Sequence, residues 1–432
     1  MLEVVPCKPA GGLAQEPRAA PGATPVTDLA GETAQLSGYS VAAEVASRLD
    51  IAGGLPFRSW HVLAVQHVHS SIAPLVDALC LGGATAASIT VLGKSYSTRA
   101  EAVAELTARG VRFIDPGRMR DPLRSFEEEL GARAAAALDE LDSVATRLLV
   151  LDEGAVAAKA LATRVSLAQR CRLVEQTTRG ARWIDSAAVP FPAVDVARSA
   201  AKASLEGPLV AEAMMTGIQL ALGELHAAPA RAGVVGYGRM GSRLAALLAA
   251  RLPVVVHDGD EQQAQEARHD GFAVTDMATL LRTVDMVVGC TGTGILGDAE
   301  LAAVDRPLIL VNGASSDIEF SLWPRRAGPM ILPGSAGDEN RPWLNHYLAG
   351  PRGSHILITG GFPANFHHRV APIPAHLFQV TRALMVAGAV QVIQGPPRAG
   401  LTPLEAGIQH VVATAAASVH PTVAAVRRDT DG

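Results

Sequence analysis

Residues 232–258 read AGVVGYGRMGSRLAALLAARLPVVVHD. Val234 and Val235 end a short apolar run of the kind that forms a buried parallel strand. Gly236-Tyr237-Gly238-Arg239-Met240-Gly241 then places three glycines at the spacing of a strand-to-helix turn. Gly236 permits the tight turn, Gly238 lets a pyrophosphate approach the backbone, and Gly241 lets the helix pack close to the strand. Arg239 and Met240 complete the turn, and Ser242 to Arg251, rich in Ala and Leu, is the helix. Its amino terminus presents N–H groups and a positive dipole end to phosphate. Pro253 to His257 forms the next strand, and Asp258 ends it. A carboxylate about 20 residues past the turn accepts bonds from an adenosine ribose 2′-hydroxyl and repels a 2′-phosphate. The stretch therefore predicts a Rossmann domain that takes NAD rather than NADP.

The chain around it has 432 residues, enough for two or three domains. Apolar residues at 49% and charged residues at 18% mark it as globular. A net charge of -5 gives no electrostatic footprint for nucleic acid. No apolar run is long enough for a membrane helix. The four cysteines (Cys7, Cys80, Cys171 and Cys290) are scattered and read as free thiols, which predicts a reducing, cytoplasmic setting. Only Lys8, Lys94, Lys159 and Lys202 are lysines, so the other 33 of the 37 basic residues are arginine. A lysine kept in such a chain points to an amine that must be able to lose its proton, which arginine does not supply.

Met1 to about Leu36, rich in Ala, Pro and Gly, reads as a disordered tail over residues 1–36. From there, short apolar strands alternate with helices. Helix Ser40–Leu49 precedes strand Trp60–Val68 and helix Ser71–Leu81. Strand Ala87–Leu92, a helix to Arg109 and strand Val111–Ile114 follow, then helix Ala134–Leu141 and strand Arg147–Leu151. This alternation predicts an α/β fold of two doubly wound parallel-sheet domains. The first spans 37–204 and binds substrate, completed by 370–395, where Leu377 to Ile393 is an apolar helix. The second, 205–369, begins with the long helix Leu205–Leu222 and has further strands at Met286–Cys290, Leu308–Asn312, Met330–Leu332 and Ile356–Thr359. Residues 396–432 read as a tail with one helix-like segment, Leu404 to Ala417.

Ligands of open α/β sheets bind at the carboxyl ends of the strands. The polar clusters expected there are His67/His69, Lys94 to Thr98, Asp152/Glu153, Glu175 to Thr178, Thr291 to Gly294, Asn312 to Asp317, and Asn365. The pair His67/His69 lacks a carboxylate at ligand spacing, so no metal is expected.

The order of these motifs resembles the S-adenosylhomocysteine hydrolase family from about Tyr39 to Ile393. EQTTRG (175–180) resembles its EETTTG, and AKASLEG (201–207) its TKSKFDN. GYGRMG (236–241) resembles GYGDVG, and VNGASSDIEF (311–320) resembles NIGHFDVEI. GGFPANF (360–366) resembles EGRLVNL. The resemblance implies a bound NAD that oxidises a ribose hydroxyl, elimination of a thiol, addition of water and return of the hydride. It also implies a homo-oligomer. Lys202 matches the family's catalytic lysine, with Glu206 one turn on where the family has Asp. His67 matches a histidine acid/base, and Glu153 falls at a family aspartate. Thr177, Thr178, Thr291, Asn312 and Asn365 fall where the family contacts NAD. Lys94, Ser97 and Thr98 are further candidates for contact with a small-molecule substrate, a nucleoside or thioether.

The chain also departs from the family. Gln176 replaces the second acid of EETTTG, which bonds ribose hydroxyls, and Ser315 stands at the histidine of NIGHF. An amide hydrogen-bonds but neither carries charge nor takes a proton. Three readings stay open: an oxidising enzyme on another substrate, an altered S-adenosylhomocysteine hydrolase, and an NAD-binding interaction paralogue without activity.

Overall fold

A computed structural model describes residues 40–116, 125–322, 346–350, 353–366 and 375–419. The expected tail over 1–36 and the expected strand Met330–Leu332 lie outside these residues. Along the chain the strands are β1 (His61–Val65), β2 (Ile89–Leu92), β3 (Arg112–Ile114), β4 (Leu148–Asp152), β5 (Cys171–Glu175) and β6 (Pro192–Asp195). Then come β7 (Ala232–Val235), β8 (Val254–His257), β9 (Ala273–Val274), β10 (Met286–Gly289), β11 (Leu296–Gly297) and β12 (Ile309–Asn312). The last are β13 (Phe320–Ser321), β14 (His346–Gly350), β15 (Gly353–Leu357) and β16 (Gly400–Pro403).

Two seven-stranded sheets result. The first has the order β16-β6-β5-β4-β1-β2-β3 and is parallel throughout. The second has the order β14-β15-β12-β10-β7-β8-β9, parallel except for the edge strand β14. β11 and β13 form a small separate pair. Strands such as β4, Leu-Leu-Val-Leu-Asp, are buried at every position, as helices on both faces of a parallel sheet require. In each sheet the strand order reverses once, between β4 and β1 in the first and between β10 and β7 in the second. At such a switch point the two following loops leave in opposite directions and open a crevice.

Local signals explain the helices. Helix Phe126–Val144 starts eight residues before the predicted Ala134, because Ser125 and Glu128 form a capping box. Helix Ala375–Gln394 returns to the first sheet: a Cβ on its Gly388 would lie 2.9 Å from both Val174 and Val196. The expected tail after residue 396 is corrected in its described part. Gly400–Pro403 is the edge strand β16, with Leu401 opposite Ala193, and helix Ala406–Val419 buries Val412, Ala415 and Ala416 in the same core. Four residues bounded by Gly and Pro give no period to read, and only the exposed edge of β6 makes them a strand.

Candidate active site

The second crevice is built from backbone. Gly236 follows β7 with φ +93°, a conformation that strains any side chain with a Cβ. A Cβ on Gly241 would stand 1.8 Å from the Gly236 carbonyl oxygen, so only glycine allows helix Arg239–Ala249 to sit this close to the strand. A Cβ on Gly238 would meet nothing within 4 Å among the described residues. Gly238 caps that helix without a side-chain bond, leaving the first N–H groups for an anionic ligand. These residues fit a pyrophosphate. Arg239 is exposed and reaches the Arg198 carbonyl oxygen at 3.3 Å, and Met240 packs partly against the core.

Asp258 ends β8 as expected, but its carboxylate accepts bonds from Tyr237 N at 2.6 Å and Asp260 N at 2.8 Å. It braces the glycine turn and keeps lone pairs for a ribose hydroxyl. Thr291 donates to Glu319 at 3.0 Å and accepts from Thr293 N at 2.9 Å. Burial pushes the Glu319 carboxyl up to about 7, against the Gly292 N–H and Thr291 hydroxyl that favour its ionised form. Asn312, expected among the cofactor contacts, spends its amide inside the protein. Nδ2 donates to the Ser316 and Gly361 carbonyl oxygens, and Oδ1 accepts from Ala314 N at 2.7 Å. Ser315 is half-buried beside it.

The first crevice is built from side chains. His67 lies just past β1, Lys94 past β2, Glu153 past β4 and Gln176 past β5, and all four are buried. Glu153 Oε1 takes Lys94 Nζ at 2.8 Å and His67 Nε2 at 3.0 Å, while Oε2 accepts from Gln176 Nε2 at 2.9 Å. His67 Nδ1 stands 2.6 Å from Ser97 Oγ. An ionised carboxylate only accepts, so Nε2 carries the ring proton and Nδ1 accepts from Ser97. Burial would raise the Glu153 pKa, but His67 and Lys94 hold it well below the carboxylate range. Burial lowers the His67 pKa, helped by Lys94 and Arg382 and opposed by Glu153. The set is thus a neutral imidazole between a hydroxyl and a carboxylate.

Beneath it, Thr177 caps helix Thr178–Ala187 by accepting from Gly180 N and donates to Glu175, so its hydroxyl serves the fold. Thr178 is exposed, and Thr98 donates to the Lys94 carbonyl oxygen at 2.9 Å. At the link between the sheets, Ser199 caps helix Ala200–Leu205. Lys202 Nζ sits 2.9 Å from Glu206 Oε2, with side chains 20% and 7% exposed, so the amine keeps access that its partner lacks.

Residues from the second half of the chain cover the first crevice. Helix Gly207–Glu224 seats the turn Ala364–Phe366 so closely that a Cβ on Gly217 would lie 1.9 Å from Ala364 O. From that turn Phe366 faces His67 at 4.5 Å between ring centres, and Phe362 stacks on Tyr96 at 4.7 Å. Phe126 N donates to Asp317 across the same seam. The Tyr96 hydroxyl, Gln176 Oε1 and Asn365 Oδ1 are buried with no hydrogen-bond partner among the described residues. The sequence reading gave no role to Tyr96, Phe362, Phe366 or Arg382. Tyr96 lies within the Lys94 to Thr98 cluster and both phenylalanines within GGFPANF, whereas Arg382 stands out only as the one charged residue inside the apolar run of Ala375–Gln394. Among the described residues, no three His, Cys, Asp or Glu side chains gather as a metal site. No helix among them is long and apolar enough to cross a membrane.

Residues 216–318 match the family model of the D-isomer specific 2-hydroxyacid dehydrogenase NAD-binding domain. The second sheet therefore belongs to an NAD-binding domain. The chain is also 25% identical over 312 residues to uncharacterised proteins from two strains of Mycobacterium tuberculosis. The alignment covers 71% of this chain and 58% of those proteins. Among solved structures, a dipicolinate synthase component from Bacillus halodurans is 13% identical at a TM-score of 0.37, covering 79% of this chain and 99% of that one. Phosphoglycerate oxidoreductase from Vibrio cholerae is 14% identical at a TM-score of 0.37, covering 68% of this chain and 96% of that one.

Proposed function

We propose that the protein uses NAD to oxidise a secondary hydroxyl of a small polar molecule held over the first crevice. The carrying observation is the buried His67–Glu153–Lys94–Gln176 set at the switch point, covered by Phe362 and Phe366 from the NAD-binding half. NAD, when bound, supplies the hydride acceptor. The chain supplies the rest. Oxidation takes a hydride from carbon and a proton from oxygen, leaving a ketone. Lys202 is the base for the hydroxyl proton, and Glu206 steadies the charge that results. The oxidation releases only that one proton, so His67, closed on both ring nitrogens by Ser97 and Glu153, is held for the proton that a following elimination would move from carbon to the leaving group. The aromatic cover excludes water.

The buried Tyr96 hydroxyl, Gln176 Oε1 and Asn365 Oδ1 support a ligand with several hydroxyl groups, since buried polar atoms are almost always bonded. A nucleoside or thioether substrate fits this reading. Elimination after oxidation, as in S-adenosylhomocysteine hydrolysis, is a finer version of it.

The test is to mix purified protein and NAD with S-adenosylhomocysteine, nucleosides and 2-hydroxy acids, while following NADH absorbance and released adenosine. A secondary alcohol is expected to reduce the cofactor, and Lys202→Ala to slow this by about 10²- to 10⁴-fold while leaving NAD binding intact. Equal turnover by Lys202→Ala would remove the amine from the mechanism. Released adenosine would establish the hydrolytic version.

A further inference from the structure

Arg382 is the largest fully buried side chain in the described chain. It lies in helix Ala375–Gln394, which returns from the NAD-binding half to the first sheet. Burying a guanidinium costs several kcal/mol unless its donors are well placed. Here one nitrogen donates to Gln66 Oε1, another to the His67 carbonyl oxygen at 2.8 Å, and Nε to Ser71 Oγ at 3.3 Å. All three acceptors lie in the loop that carries His67. Gln66 in turn donates to the Leu151 carbonyl oxygen at 3.2 Å, two residues before Glu153. The fork of an arginine suits three acceptors at fixed angles, which an ammonium does not reproduce.

Burial lowers the Arg382 pKa to about 10, opposed by Glu153 and Glu206. The group therefore stays charged at neutral pH. Glu153 and Glu206 thus both favour the charged form of this guanidinium.

We propose that Arg382 is a positioning residue for the proton-handling set: it ties the loop carrying His67 to the strand carrying Glu153, and its fixed charge acts on both. This deepens the oxidation reading above, but it is testable without turnover. Five titratable neighbours bear on the His67 ring. Glu153 meets Nε2, Lys94 shares that carboxylate, and Arg382 holds the backbone. The edge of Tyr96 stands 5.6 Å away and His69 6.5 Å away, centre to centre. Of the positive groups, Lys94 and Arg382 both disfavour the imidazolium. Removing the Arg382 charge raises the His67 midpoint, whereas keeping a charge there restores it.

The experiment is histidine-ring NMR of the full chain with NAD bound, titrated with pH, the His67 signal being identified by its loss in His67→Gln. Arg382→Gln is expected to raise the His67 midpoint, by less than loss of the Lys94 charge would, and Arg382→Lys to return it toward the wild-type value. Equal midpoints in all three proteins, or equal shifts in both variants, would overturn the charge effect. If Arg382→Gln does not fold, Gln66→Leu carries the test, because it cuts the tie and keeps every charge. Amide exchange at Glu153, whose N–H bonds Asp152, is then expected to quicken about tenfold, and an unchanged rate would overturn the tie. Neither readout depends on hydride transfer, so failure of the oxidation reading and failure of this one are distinguishable.

Discussion

The two switch-point crevices use opposite materials. Between β10 and β7 the protein offers backbone: Gly236, Gly238 and Gly241, with nothing among the described residues within 4 Å of a Cβ at the middle one. Between β4 and β1 it offers side chains packed against each other: His67, Lys94, Glu153 and Gln176, joined by bonds of 2.8 to 3.0 Å. A backbone cradle is neutral, local and insensitive to loss of any one side chain. A buried charge network stands or falls by each member, because low polarity strengthens every pair and penalises every orphan. On the oxidation proposed above, the difference becomes a division of labour, with the cofactor held by the first material and the chemistry done by the second.

The largest expected effect breaks the charged crevice. Glu153→Ala leaves the Lys94 ammonium, 1% exposed, without its carboxylate and removes the partner of His67 Nε2. Loss of one partner of a buried ion pair costs about 3–5 kcal/mol. Urea unfolding is expected to show that loss, and a change under about 1 kcal/mol would mean that the network does not hold the crevice.

A smaller effect probes the second crevice through pH. The Glu319 carboxyl is pushed from 4.5 up to about 7. Between those values the folded protein holds a proton that the unfolded chain has released, so stability from this group falls as pH rises and levels off above about 7. The amplitude is about 3 kcal/mol. Glu175 is likewise pushed up to about 7, by burial and then by Asp152, so the wild-type curve contains both. The clean reading is the difference from Glu319→Gln, whose unfolding free energy is expected to lose less between pH 5 and pH 8. Parallel curves would show that the Glu319 proton does not matter.

Legibility followed the same division. The glycine turn was readable because six consecutive residues carry it, and the strand before it and the helix after it confirm its register. His67, Glu153 and Lys202 were reached through motif order and strand ends. What joins them was not readable, since Lys94 meets Glu153 across 59 residues and Arg382 meets His67 across 315. The internal bonds of the Asn312 amide were hidden for a related reason. Its partners, Ser316 O and Gly361 O, are backbone atoms that no residue type announces. Strand β16 needed a neighbour 208 residues earlier, Gly400 opposite Pro192.

The smallest expected effect on the fold sharpens the contrast most. Gly238 has φ -70° and ψ -166°, which alanine adopts freely, and a methyl group there meets no described atom within 4 Å. Gly238→Ala is therefore expected to change stability by under about 0.5 kcal/mol. Yet the methyl group stands where a pyrophosphate must approach the backbone, so NAD affinity, measured by calorimetry, is expected to fall about tenfold or more. A cradle made of backbone predicts this separation of folding from binding. In the other crevice the same side chains hold the fold and the site, so Glu153→Ala should damage both. If Gly238→Ala destabilised the protein as much as it weakened NAD binding, the turn would be a packing element like Gly241, whose Cβ would strike Gly236 O at 1.8 Å.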